Sequence, residues 1–158
     1  MDWNDFRNIL ENLPAAQELK DTLKKLENID FVQYPRDITM ESSDVLGQSH
    51  WTYSCKIAEI EGRKGYYKTI INFGNSLIKV EQDKLLYDYR IVQKKSRKDA
   101  ELIVDNVDYL VKAFNIITEY DMLYNILSGE YEIYSKCATA ISREITRRKI
   151  EFAGGRHD

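Results

Sequence analysis

The sequence predicts an α+β fold: an antiparallel meander of four to five strands, flanked by an N-terminal helical segment and covered by two or three C-terminal helices. Three observations predict it. Apolar and polar residues alternate from Trp51 onward, which is the period of a strand with one buried face. Glycine-containing stretches at residues 61–65 and 74–76 fall where short hairpins would reverse the chain. Apolar residues recur at helical spacing at both ends, and strands segregated from helices argue against a doubly wound parallel sheet. At 158 residues and 18.6 kDa the chain amounts to one domain. Within it residues 1–28 are expected to be helical, 29–94 mainly β, 96–152 helical and 153–158 a tail.

The first element is justified by Asp2 as a cap and by Trp3, Phe6, Leu10 and Leu13 along one helical face. Pro14 has no N–H to donate and fits the start of a second helix, whose stripe is Ala16, Leu19, Leu23 and Leu26. Residues 29–34 read as a first strand closed by Pro35. No period holds from Pro35 to Ser49, and a loop of that length implies a function. Trp51, Tyr53, Cys55 and Ile57 then form the inward face of a strand, with a bulge at residues 58–60.

The turn at residues 61–65 relies on Gly62 and Gly65 for positive φ angles. Residues 66–73 return, residues 74–76 turn again, and residues 77–81 and 85–92 complete the meander. Leu85, Tyr87, Tyr89 and Ile91 share one face of the last strand.

Ser96 followed by Asp99 has the form of a helix cap. The helix it opens is expected to be the longest, with Ile103, Val107, Leu110, Phe114 and Ile117 as its core stripe. So apolar a helix is sandwiched in the fold or buried in a homo-oligomer. The register fails near Asp121, where a kink is expected, and Ser128-Gly129 is expected to end the helix. A last helix from Glu130 to about Phe152 buries Tyr131, Tyr134, Ala138, Ile141 and Ile145.

Composition excludes several classes. Hydrophobic residues at 43% and charged residues at 31% are those of a globular chain rather than a disordered one. A net charge of −3 argues against coating nucleic acid by bulk electrostatics. No apolar run reaches the length of a membrane helix, and residues 1–5 lack the basic-then-apolar pattern of a secretory leader. A cytoplasmic location without membrane association is the expectation. Two cysteines and two histidines are too few for a structural zinc site, and no phosphate loop, HExxH or GxSxG pattern occurs. No cofactor and no metal are expected.

Charge is sorted along the chain. Arg90, Lys94, Lys95, Arg97 and Lys98 form a run with no acid among them. Arg143, Arg147, Arg148 and Lys149 form a second group, and Arg63, Lys64 and Lys68 a third. These are the candidate nucleic-acid contacts if they converge, with Tyr66, Tyr67, Tyr87 or Tyr89 available for base stacking. Solvated helix ends are the plainer explanation of such runs. Glu101, Asp105, Asp108 and Glu119 form an acidic stripe suited to a basic protein partner. Three carboxylates on one helix supply ligands from one direction only, which is poor for a hard cation.

A magnesium-dependent nuclease of the restriction-enzyme type needs an aspartate and a Glu-x-Lys on a neighbouring strand. Asp44, Glu59, Glu61 and Lys64 approach that set, but no lysine stands two residues beyond Glu59 or Glu61. Cys55 and Cys137 read as small buried hydrophobes rather than activated thiolates. The functional expectation is a non-enzymatic intracellular protein that binds another macromolecule, foremost a protein, as an accessory, inhibitor, immunity or assembly factor. Nucleic-acid binding is the alternative and the nuclease a weaker third.

Overall fold

A computed structural model describes residues 21, 22, 24 and 37–154. Among the described residues no strand occurs, so the antiparallel sheet is overturned. The order is α1 (Ser43–Tyr87), a π-helical turn (Asp88–Val92), α2 (Arg97–Asp105) and α3 (Asp108–Gly154). The stretch expected to form the meander is one continuous helix and its π turn. The helices expected at residues 1–28 and the strand at 29–34 lie outside the described residues, apart from helical 21, 22 and 24.

The physical reason lies in a period of 3.5 rather than 2. Along α1, positions 46, 50, 53, 57, 60, 64, 67, 71, 74, 78, 81 and 85 follow alternating steps of four and three, and none is exposed. Along α3, positions 110, 113, 117, 120, 124, 127, 131, 134, 138, 141, 145 and 148 do the same, again with none exposed. A seam repeating at 3.5 residues keeps one stripe of each helix against its partner. Tyr53 and Ile57 belong to that seam, whereas Trp51 and Cys55, expected on the same inward face, are exposed. The chain has only two prolines, at 14 and 35, so no proline interrupts the helical hydrogen bonding of the described helices.

The supposed hairpin glycines sit in helix. No glycine of the described chain has a positive φ, and Gly62 and Gly65 lie exposed within α1. Asp121 and Ser128-Gly129 interrupt nothing, since α3 runs through both. The cap at Ser96 is present: its Oγ accepts the Asp99 N–H at 3.2 Å. The helix it opens is the shortest of the three, not the longest. α2 stops at Asp105, where the Asn106 side chain turns back to the Leu102 carbonyl at 2.7 Å. Val104, Leu110, Ala113 and Ile117 are buried, while Phe114 of the expected stripe is exposed. Helix occupies residues 97–105 and 108–154, in place of the boundaries expected at 96, 128 and 130.

The described chain divides into two compact units. One contains residues 66–124, the other residues 37–65 and 125–154. In the first, the second half of α1 and the first half of α3 pack antiparallel. The Tyr67 and Tyr120 rings lie 5.7 Å apart near one end, and the Tyr109 hydroxyl lies 3.2 Å from a Glu81 carboxylate oxygen near the other. Burying aliphatic core residues such as Ile70, Ile78 and Leu123 contributes about 1.5–3 kcal/mol each.

In the second unit the core is Leu46, Tyr53, Ala138 and Ile141, with Ile38, Ile57, Tyr134, Cys137 and Ile145 packed against it. The Tyr53 and Tyr134 rings are 5.9 Å apart. Cys137 is half-buried there, and burial pushes its thiol up, away from thiolate chemistry. The expected 35–49 loop is reduced, within the described residues, to a turn at 37–41 followed by α1.

Candidate functional site: the surface around α2

The features most unlike a plain helical core surround α2 in the unit of residues 66–124. At the end of α1 the helix widens into the π turn, a local irregularity that recurs at functional positions. The Gln93 N–H donates to the Asp88 carbonyl and the Lys95 N–H to the Tyr89 carbonyl, each at 3.0 Å. Lys94 between them has φ 55°, a left-handed conformation that costs a non-glycine residue roughly 1–2 kcal/mol. Glycine would take this position without strain. A lysine held there sets strain and positive charge at one point of the surface.

Every residue from 90 to 99 is exposed. The connection brings together Arg90, Lys94, Lys95 and Lys98, none of which has an ion-pair partner among the described residues. Arg97 is committed to Glu101 at 2.7 Å. The local acids are occupied as well: Asp88 accepts the Gln93 side-chain amide at 2.8 Å, and Asp99 accepts the Ser96 hydroxyl at 2.7 Å. Tyr87, Ile91, Val92 and Leu102 are each more than half exposed in the same segment. Large apolar side chains therefore share the connection with four unpaired cations.

The second basic group belongs to the other unit. Arg147 and Arg148 serve the unit of residues 37–65 and 125–154. Glu144 is buried and receives Arg147 at 2.7 and 2.9 Å and Arg148 at 2.8 Å. Arg147 also pairs with Glu151. The Arg148 guanidinium donates further to the carbonyls of Glu41, Ile38 and Thr39 at 2.6, 3.1 and 2.9 Å, which ties the 37–41 turn to α3. With its ε nitrogen on Glu144 and both terminal nitrogens on carbonyls, Arg148 is a structural cation. Arg143 and Lys149 are exposed beside it.

The two arginines hold the Glu144 carboxyl down at about 2, against an ordinary value of 4.5. The fold therefore favours the ionised carboxylate. Its contribution is complete above pH 4.5 and is lost as the pH falls through about 2. Thermal melts followed by circular dichroism are expected to show midpoints falling across that window. Glu144→Gln is expected to flatten the fall while lowering stability at pH 7.

The nuclease set is not assembled. Asp44, Glu59, Glu61 and Lys64 all lie on α1. Asp44 and Glu59 are about 22 Å apart along the helix at 1.5 Å per residue. Glu59 is bound to Lys56 at 2.8 Å, and the Lys64 ammonium sits 4.8 Å from the centre of the Tyr131 ring. Among the described residues no cluster of three or more histidines, cysteines or acids is placed to hold a metal.

Of the acidic stripe, Glu101 and Asp105 reach α2's groove-facing side, Asp108 opens α3 and Glu119 is half-buried further along it. They do not form one stripe, because the helix they were placed on breaks between Asp105 and Asp108. Ile91, Val92 and Leu102 carry no sequence signal of a site, because the strand pattern puts Ile91 on a sheet face, and Tyr87 is singled out only for base stacking. The heptad count along residues 46–85 leaves Tyr87 off the seam and is the signal that would have exposed that residue. No described helix is long and apolar enough to cross a membrane. Comparison with family models, curated proteins and solved structures returned no match to this chain.

Proposed function

We propose that this chain is a non-enzymatic binding protein that docks another protein on the surface around α2. The observation that carries it is the cluster of Tyr87, Ile91, Val92 and Leu102, each more than half exposed, among Arg90, Lys94, Lys95 and Lys98. An apolar centre with a charged rim is the anatomy of a protein interface, with aromatic and aliphatic anchors contributing affinity and rim charges steering approach. Photo-crosslinking from a benzoylphenylalanine placed at Leu102, in cells producing the chain, tests it. A discrete crosslinked protein that disappears with Ile91→Asp and Val92→Asp is expected. Absence of any such species, or its indifference to both aspartates, overturns the proposal.

The nucleic-acid alternative is favoured by one specific observation: four cations without ion-pair partners among the described residues lie exposed within the single stretch 90–98. It makes a different quantitative demand. Four phosphate contacts give a log–log salt slope of about −3 on single strands. Lys94→Gly removes one cation at a backbone position glycine favours, so it is expected to reduce that slope with no loss of stability. Salt-independent anisotropy of labelled oligonucleotides removes this alternative.

A further inference from the structure

Beside the connection the surface is concave. A groove runs past α2, with Gln82, Val104 and Asp105 along its length. At one end Asp83, Leu86 and Glu101 wall it, with Lys79 the one cation among the described lining residues. At the other its floor is Ile78, Leu110, Val111 and Phe114. Phe114 is 59% exposed although it stands on a helix whose neighbouring seam residues Ala113 and Ile117 are buried. Asp83 and Asp105 have no ion-pair partner among the described residues, and Glu101 is shared with Arg97.

We propose that this groove seats a basic amphipathic helix of a partner protein, an inference that rests on the protein-binding function above and specifies its partner. An exposed phenylalanine beside an aliphatic floor selects an occupant with apolar side chains repeating along one face. The described residues offer no strand edge, so an extended peptide has no ladder to join, and a helix presenting anchors at i, i+3, i+4 and i+7 is the mode that fits. The uncompensated carboxylates select lysine and arginine beside those anchors. They also repel phosphate-bearing ligands, so polynucleotides and anionic lipids are disfavoured in the groove itself. A second copy, offering its own basic residues from Arg90 to Lys98, is another candidate and is an outcome of the test.

The test uses the whole chain and two synthetic 15-residue peptides. One carries leucines at i, i+3, i+4 and i+7 with lysines elsewhere, and its twin carries glutamates in place of the lysines. Anisotropy is expected to show at least tenfold tighter binding of the lysine peptide. Phe114→Ala, and Asp83→Asn with Asp105→Asn, are each expected to weaken it at least fivefold. Ile133→Ala, exposed in the other unit, is expected to leave it unchanged. Equal binding of the twins, indifference to Phe114→Ala or to the asparagines, or light scattering that shows self-association abolished by Phe114→Ala, overturns the inference. A protein crosslinked at Leu102 that persists with Phe114→Ala overturns the groove and leaves the protein-binding function standing. Failure of the Leu102 crosslink removes that function itself.

Discussion

Replacing Gly47, Gly62, Gly65 and Gly129 together with alanine is expected to raise stability by about 2–4 kcal/mol, since each glycine in a helix interior costs about 0.5–1 kcal/mol relative to alanine. All four lie within α1 or α3, all four are exposed, and a Cβ built on any of them meets nothing within 4 Å. None has a positive φ, so alanine introduces no backbone strain. Part of the gain arises in the unfolded chain, whose freedom alanine reduces. Gly74 is left alone because it is buried at a seam position. Urea unfolding measures the outcome, with the midpoint rising at an unchanged slope. The sign is the discriminating feature. Had Gly62 and Gly65 formed a tight hairpin with positive φ angles, alanine there would destabilise, so the pair Gly62→Ala and Gly65→Ala alone separates a helix from a turn.

How much of this molecule was legible in its sequence follows from which residues occupy the seam. The C-terminal half is readable: Tyr131, Tyr134, Ala138, Ile141 and Ile145 recur at helical spacing in the sequence, and all five are seam positions of α3. The Ser96 cap was readable too, because a hydroxyl followed three residues later by a carboxylate carries its own local geometry. The first half was not. Its seam includes His50, Lys64, Gly74 and Glu81, polar or side-chain-free residues that break the apolar period at four of its positions. Between those breaks stand tyrosines and isoleucines, residues that fit strands as readily as helices. Tertiary packing decides here what short windows cannot: Lys64 stays in the seam because its ammonium lies over the Tyr131 ring.

The same point governs the site. Basic residues 90–98 were recognised as a run, but their setting depended on the end of α1, a π turn rather than a strand-to-helix junction. Arg147 and Arg148 looked equivalent to them in sequence. A buried carboxylate and three carbonyls of the 37–41 turn, more than a hundred residues away in the chain, make them structural. Long-range partners of that kind leave no mark in local patterning.

Tyr53→Ala is expected to cost about 3–5 kcal/mol, and Trp51→Ala no more than about 0.5 kcal/mol. A strand would place both side chains on one inward face and make the two losses comparable. The helix separates them by 200°: Tyr53 is 3% exposed and Trp51 is 72% exposed. Truncating Tyr53 removes its ring from Tyr134 and opens a void against Leu46, Ala138 and Ile141. The void forms between two helices, where collapse would require one backbone to move against a seam still held by Ile57 and Ile60. Chemical denaturation of the two variants side by side measures the difference. Near-equal losses would contradict the 3.5-residue seam in this unit.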